Sequence, residues 1–352
     1  MTSAEVTTRS SSPPVPPATV RPPLTGGSAR RAREAAIRGV FTLAAVLSIA
    51  VLVGIFGVLF LQAREAFTGS EGVAQSTLTP EQRALFTDAE FALLPAEPPP
   101  APTLTGDFLG RGWWNPTGGT AFYGVGSMVV STLLVTFAAL ALAAPIGIAA
   151  AAWLAYVAPP RAREIVKPLI EILAAIPSVV LGFLGIVVVG PVLAKVFGLQ
   201  SGLTAANGAL LLAVMALPTI VSITEDALTA VPRDYVQASL ALGADRWQTL
   251  VKVVLPAAHS GVLAALMLGM GRAIGETMTV LMACGNATAM PGSLFDPVRT
   301  LTATIAIELG ETQVGSRHFH MLFAVGLVLF CMTFAVNLAS EWVMQRNRQV
   351  RV

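Results

Sequence analysis

Two apolar segments of the chain are joined by the stretch 225-EDALTAVPRDYVQASLALGADRWQTLVKVVLPAA-258, which carries start and stop signals for two short helices. The first helix is expected to follow Pro232 and to end at Gly243, because glycine accepts the backbone angles of a helix C terminus. The second is expected to begin after Asp245, with a glutamine at its third position as in a capping box, and to stop at Pro256. The sequence therefore predicts two short helices joined by a tight turn.

The composition of the chain is that of a membrane protein. Of its 352 residues, 54% are hydrophobic and 12% are charged, and the mean hydropathy is +0.71. Soluble domains carry roughly 25% charged residues, whereas a membrane-spanning helix needs about 20 mostly apolar residues. Six stretches meet that requirement, near residues 37–62, 123–157, 166–197, 206–228, 257–284 and 319–342. We therefore expect an all-α polytopic membrane protein of about six transmembrane helices, with Pro145 and Pro177 as natural places for bends.

The distribution of basic residues predicts the orientation in the membrane, because Lys and Arg are enriched in short cytoplasmic segments. With both termini inside, 15 of the 22 basic residues lie in cytoplasmic segments and six in outer segments, and only Arg272 lies within a span. The predicted parts of the chain are a disordered cytoplasmic tail (1–36), an N-terminal transmembrane helix (37–62), an acidic extracytoplasmic loop (63–122), a transmembrane core (123–342) with a cytoplasmic loop at about 225–256, and a cytoplasmic tail (343–352).

The loop between the fourth and fifth predicted spans has three interpretations. Two short helices with a glycine turn also occur in helix-turn-helix DNA-binding domains, but the flanking spans and the excess of acidic over basic residues argue against nucleic acid. Tyr235, Leu240, Leu242 and Trp247 offer aromatic and apolar side chains of the kind that protein interfaces favour. A docking site for a cytoplasmic partner fits this pattern better than a purely structural connector, which stays open as the alternative.

The sequence offers no recognisable site for ATP, a metal ion or chemical catalysis. None of the three lysines is preceded by glycine as a phosphate-binding loop requires, so ATP is not expected to bind this chain. Cys284 and Cys331 are expected to serve packing, and His318 and His320 have no third metal ligand nearby. The motifs of membrane-embedded enzymes and the inverted repeats of ion-coupled transporters are not recognisable in the sequence either.

A charged pair lies inside the fifth predicted span. An arginine at that depth costs about 2.5 to 3.5 kcal/mol, so Arg272 requires a partner or a role. Glu276 follows one helical turn later. A continuous helix would place small and polar residues on one face (Ala265, Gly269, Arg272, Gly275, Glu276, Thr279 and Ala283) and large apolar residues on the other (Leu263, Met267, Met270, Ile274, Met278 and Leu281). Two interpretations follow, namely the lining of a path for an oxyanion, or an ion pair that holds helices together.

The loop resembles the EAA loop of ABC importer permeases, which has a Glu-Ala-Ala, glycine, aliphatic-x-Leu-Pro pattern. The matching residues are Gln237, Ala238, Ser239, Gly243, Val253, Leu255 and Pro256. In that family the loop forms a coupling helix that sits in a groove of the ATPase subunit, so the resemblance implies that a partner is contacted by Tyr235, Gln237, Ala238, Ser239, Gly243, Ala244, Trp247, Leu255 and Pro256. The sequence departs from the consensus at Gln237 and Ser239, where the family has Glu and Ala.

Three further stretches resemble the phosphate-specific ABC importer permeases, and are closer to their PstC than to their PstA subunits: 272-RAIGETMTVLMACGNA-287, 171-EILAAIPSVVLGFLG-185 and 113-WWNPTGG-119. The resemblance implies the type I importer permease fold, with five core helices and one N-terminal span in the cytoplasmic membrane. It also implies a phosphate pathway at Arg272, Glu276 and Thr279, with Glu171 and Ser178 as weaker candidates.

The partners that the resemblance implies are a PstA-like second permease, a PstB-like ATPase dimer that binds ATP and Mg, and an extracytoplasmic PstS-like phosphate-binding protein. This chain itself would bind no cofactor.

Overall fold

The computed structural model describes residues 28–68, 79–85, 87, 91–92, 102–110, 113–116 and 121–348. The predicted tail up to residue 27, much of the predicted loop 63–122 and residues 349–352 lie outside these ranges.

The described part of the chain is mostly helical. Its helices are α1 (Ser28–Ala66), α2 (Pro80–Arg83), α3 (Gly126–Ala152), α4 (Pro160–Ala174), α5 (Ser178–Leu184), α6 (Gly190–Phe197), α7 (Ala205–Thr229), α8 (Arg233–Ala241), α9 (Arg246–Thr249), α10 (Leu255–Ala257), α11 (His259–Ile274), α12 (Met278–Ala283), α13 (Leu301–Glu308) and α14 (Arg317–Arg348). Single π-helical turns lie at Leu104–Phe108, after α3 at Trp153–Val157, between α5 and α6 at Gly185–Val189, and after α9 at Leu250–Val254. Strands β1 (Trp114–Asn115) and β2 (Phe122–Tyr123) form a short antiparallel hairpin.

The number of apolar helices confirms the prediction of about six spans. Within the described residues, five helical segments are long and apolar enough to cross a membrane, at Arg33–Ala66, Gly126–Val157, Ser178–Phe197, Ala205–Thr229 and Arg317–Trp342. A sixth would be the pair Arg246–Ala257 and His259–Ile274, whose axes are bent by 70°.

Three boundaries differ from the prediction. The first helix begins at Ser28, so residues 28–36 are helical rather than part of a tail. The predicted span 166–197 is interrupted at residues 175–177, where Pro177 lacks the N–H that would continue α4. At Pro145, the other predicted place for a bend, α3 continues as a helix. The predicted continuous helix at 257–284 is wrong, because it is interrupted at residues 275–277.

The described residues divide into two compact units, one up to Gly54 and one from Ile55 on. The first unit contributes the described part of α1 up to Gly54, and every side chain described there is exposed. A helix that is apolar and exposed on all sides suits a surrounding of lipid.

Three clusters of buried apolar side chains follow one another along α3 and form the core of the second unit. The hairpin-end cluster contains Met128 of α3 with Trp114, Tyr123, Leu301, Met321 and Leu322; the middle cluster contains Val135, Ala139 and Ala143 of α3 with Ala209, Ala213, Ala216 and Ile220 of α7; and the loop-end cluster contains Ala151 of α3 with Leu228, Leu250, Val254 and Val262. The small side chains of the middle cluster let α3 and α7 pack with their backbones close together. Helix α3 thus connects the hairpin to the loop at 233–257.

The carboxylate of Glu308 joins four segments at the hairpin end. It accepts hydrogen bonds from Trp114 Nε1 at 2.8 and 3.0 Å and from Arg299 Nη1 at 2.6 Å, and it lies 2.8 Å from His318 Nε2. Burial alone would raise the pKa of Glu308, but the hydrogen bonds from His318 and Trp114 and the charge of Arg299 outweigh it. The pKa therefore lies below its ordinary value of 4.5. We call these four residues the Glu308 hub.

Replacing Glu308 by Gln removes the charge on which the hub converges, and we expect a loss of about 2 kcal/mol or more in the free energy of unfolding at pH 7. Because the folded-state pKa is lowered, the contribution of the carboxylate is complete above pH 4.5 and is lost as the pH falls through the folded-state value. Thermal unfolding in detergent should therefore show a gap between native and E308Q protein that closes in acid. Glu311→Gln, at an exposed carboxylate three residues on, is the control; equal effects of the two substitutions would contradict this account.

Gly208 is required where α7 meets the end of α12. A Cβ atom at this position would overlap the buried Sγ atom of Cys284, whereas its next neighbour, Val135 Cγ1, would lie at 3.5 Å. We expect Gly208→Ala to cost about 1 to 3 kcal/mol of stability. The double variant Gly208→Ala/Cys284→Ala should recover most of it, because the Cβ of residue 284 is 3.9 Å away.

The control for Gly208 is Gly57→Ala, since nothing lies within 4 Å of a Cβ there. The measurement is the unfolding midpoint of the purified protein. A double variant no more stable than Gly208→Ala alone would show that the contact with Cys284 is not the constraint.

Candidate substrate pathway and coupling loop

The fifth predicted span contains a gap between two helices, and the two predicted charges lie just before this gap and inside it. Helix α11 ends at Ile274 and α12 begins at Met278, so Glu276 lies in the gap itself. Arg272 occupies the last turn of α11, where a cation is favourable beside the negative end of the helix dipole. The Arg272 side chain and Gly275 are exposed in the single chain. The gap therefore presents a cation and backbone to a space that no described residue fills.

The two helix faces predicted for residues 263–283 do not persist across the gap. Met270 and Ile274 were expected on the outward apolar face, but they are 7% and 2% exposed. Helix α11, which carries both residues, packs against α3, α7 and α14, so its apolar face meets protein. Arg272 and Glu276 form no ion pair within 4 Å of each other in the described structure.

Glu276 accepts hydrogen bonds from two residues, Thr279 and Thr302. Its carboxylate Oε1 accepts from the backbone N–H of Thr279 at 3.3 Å and from the Thr279 hydroxyl at 3.4 Å, which closes the first turn of α12. Its backbone carbonyl accepts from the hydroxyl of Thr302 at 3.0 Å. These contacts fix the path of the chain through the gap.

Thr279 connects the gap to the other interrupted span. Its side chain is fully buried, and its hydroxyl lies 3.2 Å from the backbone carbonyl of Ser178, the first residue of α5. The same hydroxyl lies 3.3 Å from Met215 Sδ of α7. The two spans that are broken, at residues 175–177 and 275–277, therefore restart beside each other.

The five predicted pathway residues are thus placed unequally. The structure brings Glu276, Thr279 and the carbonyl of Ser178 together, and Arg272 lies one turn before them on α11. Glu171 is exposed on α4, before the break in its span, and makes no described contact with this group. Sequence reasoning missed Thr302, since its contact with Glu276 spans 26 residues and no local pattern announces it.

The loop at 233–257 has the predicted start, turn and cap. Helix α8 follows Pro232, and Gly243 has a φ of +86° just past its end. Asp245 accepts a hydrogen bond from the Gln248 N–H at 2.7 Å, and the Gln248 side chain accepts in return from the Asp245 N–H at 3.3 Å. The capping box is therefore confirmed.

The second helix ends at Ala257, one residue beyond the predicted stop at Pro256. The chain continues from α9 through the π turn into α10, and Pro256 stands in the first turn of α10, where its missing N–H is tolerated. The bend comes after Ala258, where α11 leaves at 70°.

The loop combines a buried base with an exposed apolar surface. Leu250 and Val254 are buried in the loop-end cluster, and the hydroxyls of Ser239 and Thr249 lie 2.9 Å apart between α8 and α9. On the opposite side, the exposed side chains are those of Leu242 (90%), Trp247 (69%), Tyr235 (56%) and Leu240 (43%). Gln237, Ala238 and Gly243 are exposed as well, and Ala244 and Leu255 are half-buried. Such a surface on a rigid base is suited to docking.

Comparisons with known proteins bear on these two sites. A family model described as "Binding-protein-dependent transport system inner membrane component" matches residues 143–349. A probable ABC transporter permease protein, YqgH of Bacillus subtilis, is 40% identical over 242 residues, which cover 69% of this chain and 78% of that protein. The phosphate transport system permease protein PstC of Mesorhizobium japonicum is 33% identical over 258 residues, which cover 68% of this chain and 78% of that protein.

Among solved structures, an inward-facing form of the MetNI methionine ABC transporter is similar at 23% identity and a TM-score of 0.49. The match covers 62% of this chain and 94% of that chain. The family model covers more than half of the chain, including the loop and the interrupted span, and two relatives exceed 30% identity over most of their length. The chain is a PstC-like permease and belongs to the family of binding-protein-dependent transport system inner membrane components.

Proposed function

We propose that this chain is a permease subunit of an ATP-driven ABC importer and that it passes inorganic phosphate across the cytoplasmic membrane. The observation that carries the proposal is the gap at residues 275–277, which places exposed Arg272 and a fixed Glu276 on one interrupted span. The similarity to permeases named for phosphate transport supports the choice of the anion.

The chemistry of the two side chains suits hydrogenphosphate. The arginine fork donates two parallel hydrogen bonds to an oxyanion and keeps its charge at any working pH. A carboxylate accepts hydrogen bonds, and hydrogenphosphate carries an O–H group to donate, whereas sulfate at neutral pH carries none. Glu276 would therefore favour phosphate over sulfate, because sulfate would face an unpaired carboxylate.

The partners follow from the same proposal. The exposed surface of α8 and α9 would dock on a PstB-like ATPase dimer, which would bind ATP and Mg²⁺, while this chain would bind no cofactor. A PstA-like permease would complete the pathway, and a PstS-like protein would deliver phosphate from outside. The segments that contain the loop and both termini hold 15 of the 22 Lys and Arg residues, against six in the outer segments, which supports a cytoplasmic location for these parts.

In this mechanism, closure of the ATPase dimer would move α8 and α9 together, since Ser239 and Thr249 join them. Leu250 and Val254 would carry the movement into the loop-end cluster. Helix α11, which leaves the loop at the 70° bend, would then change the position of Arg272 and of the gap that follows it.

Arg272→Gln should lower labelled-phosphate uptake by the assembled complex by about tenfold to a hundredfold, because a hydrogen bond to a charged group contributes about 1.5 to 3 kcal/mol. Uptake by the Arg272→Lys complex should lie between that of the native and that of the Arg272→Gln complex, because lysine keeps the positive charge but lacks the two parallel donors of the guanidinium group. Lys195→Gln is the control, because Lys195 is also an exposed cation in the last turn of a helix. Native-rate uptake by a fully assembled R272Q complex would refute the pathway role.

Leu242→Ala and Trp247→Ala should each weaken retention of the ATPase subunits by about tenfold, as expected for large apolar anchors at the centre of an interface. The measurement is the amount of ATPase that copurifies with the tagged permease over a range of salt and detergent washes. Val314→Ala serves as the control, since Val314 is 80% exposed but lies outside the loop. Undiminished retention by both loop variants would exclude this surface as the docking site.

A further inference from the structure

Glu225 is a buried carboxylate that neither the pathway nor the docking surface uses. It lies near the end of α7 and is 1% exposed, and acidic side chains are almost never buried so completely without a partner. Its two oxygens are paired with two cations of α4: Arg163 Nη2 bonds Oε1, and Lys167 Nζ lies 2.5 Å from Oε2. We call Glu225, Arg163 and Lys167 the Glu225 clamp.

The clamp joins two helices at their loop-facing ends. Helix α7 ends at Thr229, only four residues before the start of α8, so movement of the loop reaches Glu225 directly along the chain. Val166 and Ile170 of α4 pack on the loop-end cluster next to the clamp.

Beyond the clamp, α4 leads to the candidate pathway. Helix α4 ends at Ala174, and after the break the chain restarts as α5 at Ser178, whose carbonyl receives the hydroxyl of Thr279. Thr279 in turn donates its backbone N–H to the carboxylate of Glu276. Unlike α11, which follows the loop in the chain, α4 and α5 have no direct covalent connection to it. Three ion pairs tie them to α7: the two of the clamp, and one between Lys167 Nζ and Oδ1 of the exposed Asp226 of α7, at 3.5 Å.

We infer that Glu225 is a positioning residue for coupling: through Arg163 and Lys167 it makes α4 and α5 follow the loop, so that both interrupted spans change position together. This inference rests on the proposed function, because it assumes an ATPase that moves the loop. A purely structural role of the clamp would alter the amount of assembled complex and would leave the ratio of transport to ATP hydrolysis unchanged.

The test measures ATP hydrolysis and labelled-phosphate uptake in the same proteoliposomes that contain the complete complex. Glu225→Gln keeps the size of the side chain and removes the charge, and we expect uptake to fall by about tenfold or more while ATP hydrolysis stays within about twofold of native. Glu164→Gln is the control, since Glu164 is an exposed carboxylate on the same helix α4 and has no ion pair in the described structure. It should leave both rates unchanged.

A second variant, Arg163→Gln/Lys167→Gln, removes the same contact through side chains that are 41% and 34% exposed; it leaves Glu225 in place without its two cations and also removes the ion pair of Lys167 with Asp226. It should reproduce the loss of uptake with retained hydrolysis. Native complexes that show no ATP-dependent phosphate uptake would overturn the proposed function and the inference with it. Native uptake combined with a normal ratio in both clamp variants, or failure of both variants to assemble, would overturn the inference alone.

Discussion

An interrupted helix inside a membrane must find new partners for the backbone groups that the helix no longer pairs, because each unpaired group costs several kcal/mol in hydrocarbon. At residues 275–277 the partners are side chains: Thr302 bonds the carbonyl of Glu276, and the Glu276 carboxylate bonds the N–H of Thr279. The hydroxyl of Thr279 then reaches the carbonyl of Ser178. The gap is therefore stabilised by three hydrogen bonds, which involve Thr302, Thr279 and Ser178.

The two ends of the molecule hold this gap in place by different means. At the hairpin end, the Glu308 hub fixes α13, and α13 supplies Thr302. At the loop end, the Glu225 clamp fixes α4, which leads to Ser178. Both carboxylates are largely buried, and each is matched by cations or N–H donors, which offsets the cost of removing a charge from water. The Glu308 hub and the Glu225 clamp thus set the positions of Thr302 and Ser178, whose polar groups border the gap.

Sequence reasoning succeeded where the controlling contacts are local. Pro232, Gly243 and the pair Asp245 and Gln248 act within one or two turns, and the predicted helix start, turn and cap are present. It failed at the gap, since hydropathy continues smoothly from α11 into α12 while the contacts that hold the break open lie 26 and 101 residues away. Glu225 likewise looked like an ordinary loop acid, because its partners on α4 are 58 and 62 residues distant.

The proposed mechanism requires that phosphate passes the gap at residues 275–277. The most direct test is a Gly275→Cys chain that also carries Cys284→Ala and Cys331→Ser, assembled with its partner subunits; a Cβ at residue 275 lies no closer than 3.7 Å to its neighbours. The rate of modification by a small, membrane-impermeant thiol reagent is measured with and without phosphate, and with sulfate. If phosphate passes the gap, the cysteine at residue 275 reacts with the thiol reagent, and phosphate slows this reaction while sulfate does not. A residue that never reacts, or one that phosphate leaves unprotected, would contradict it.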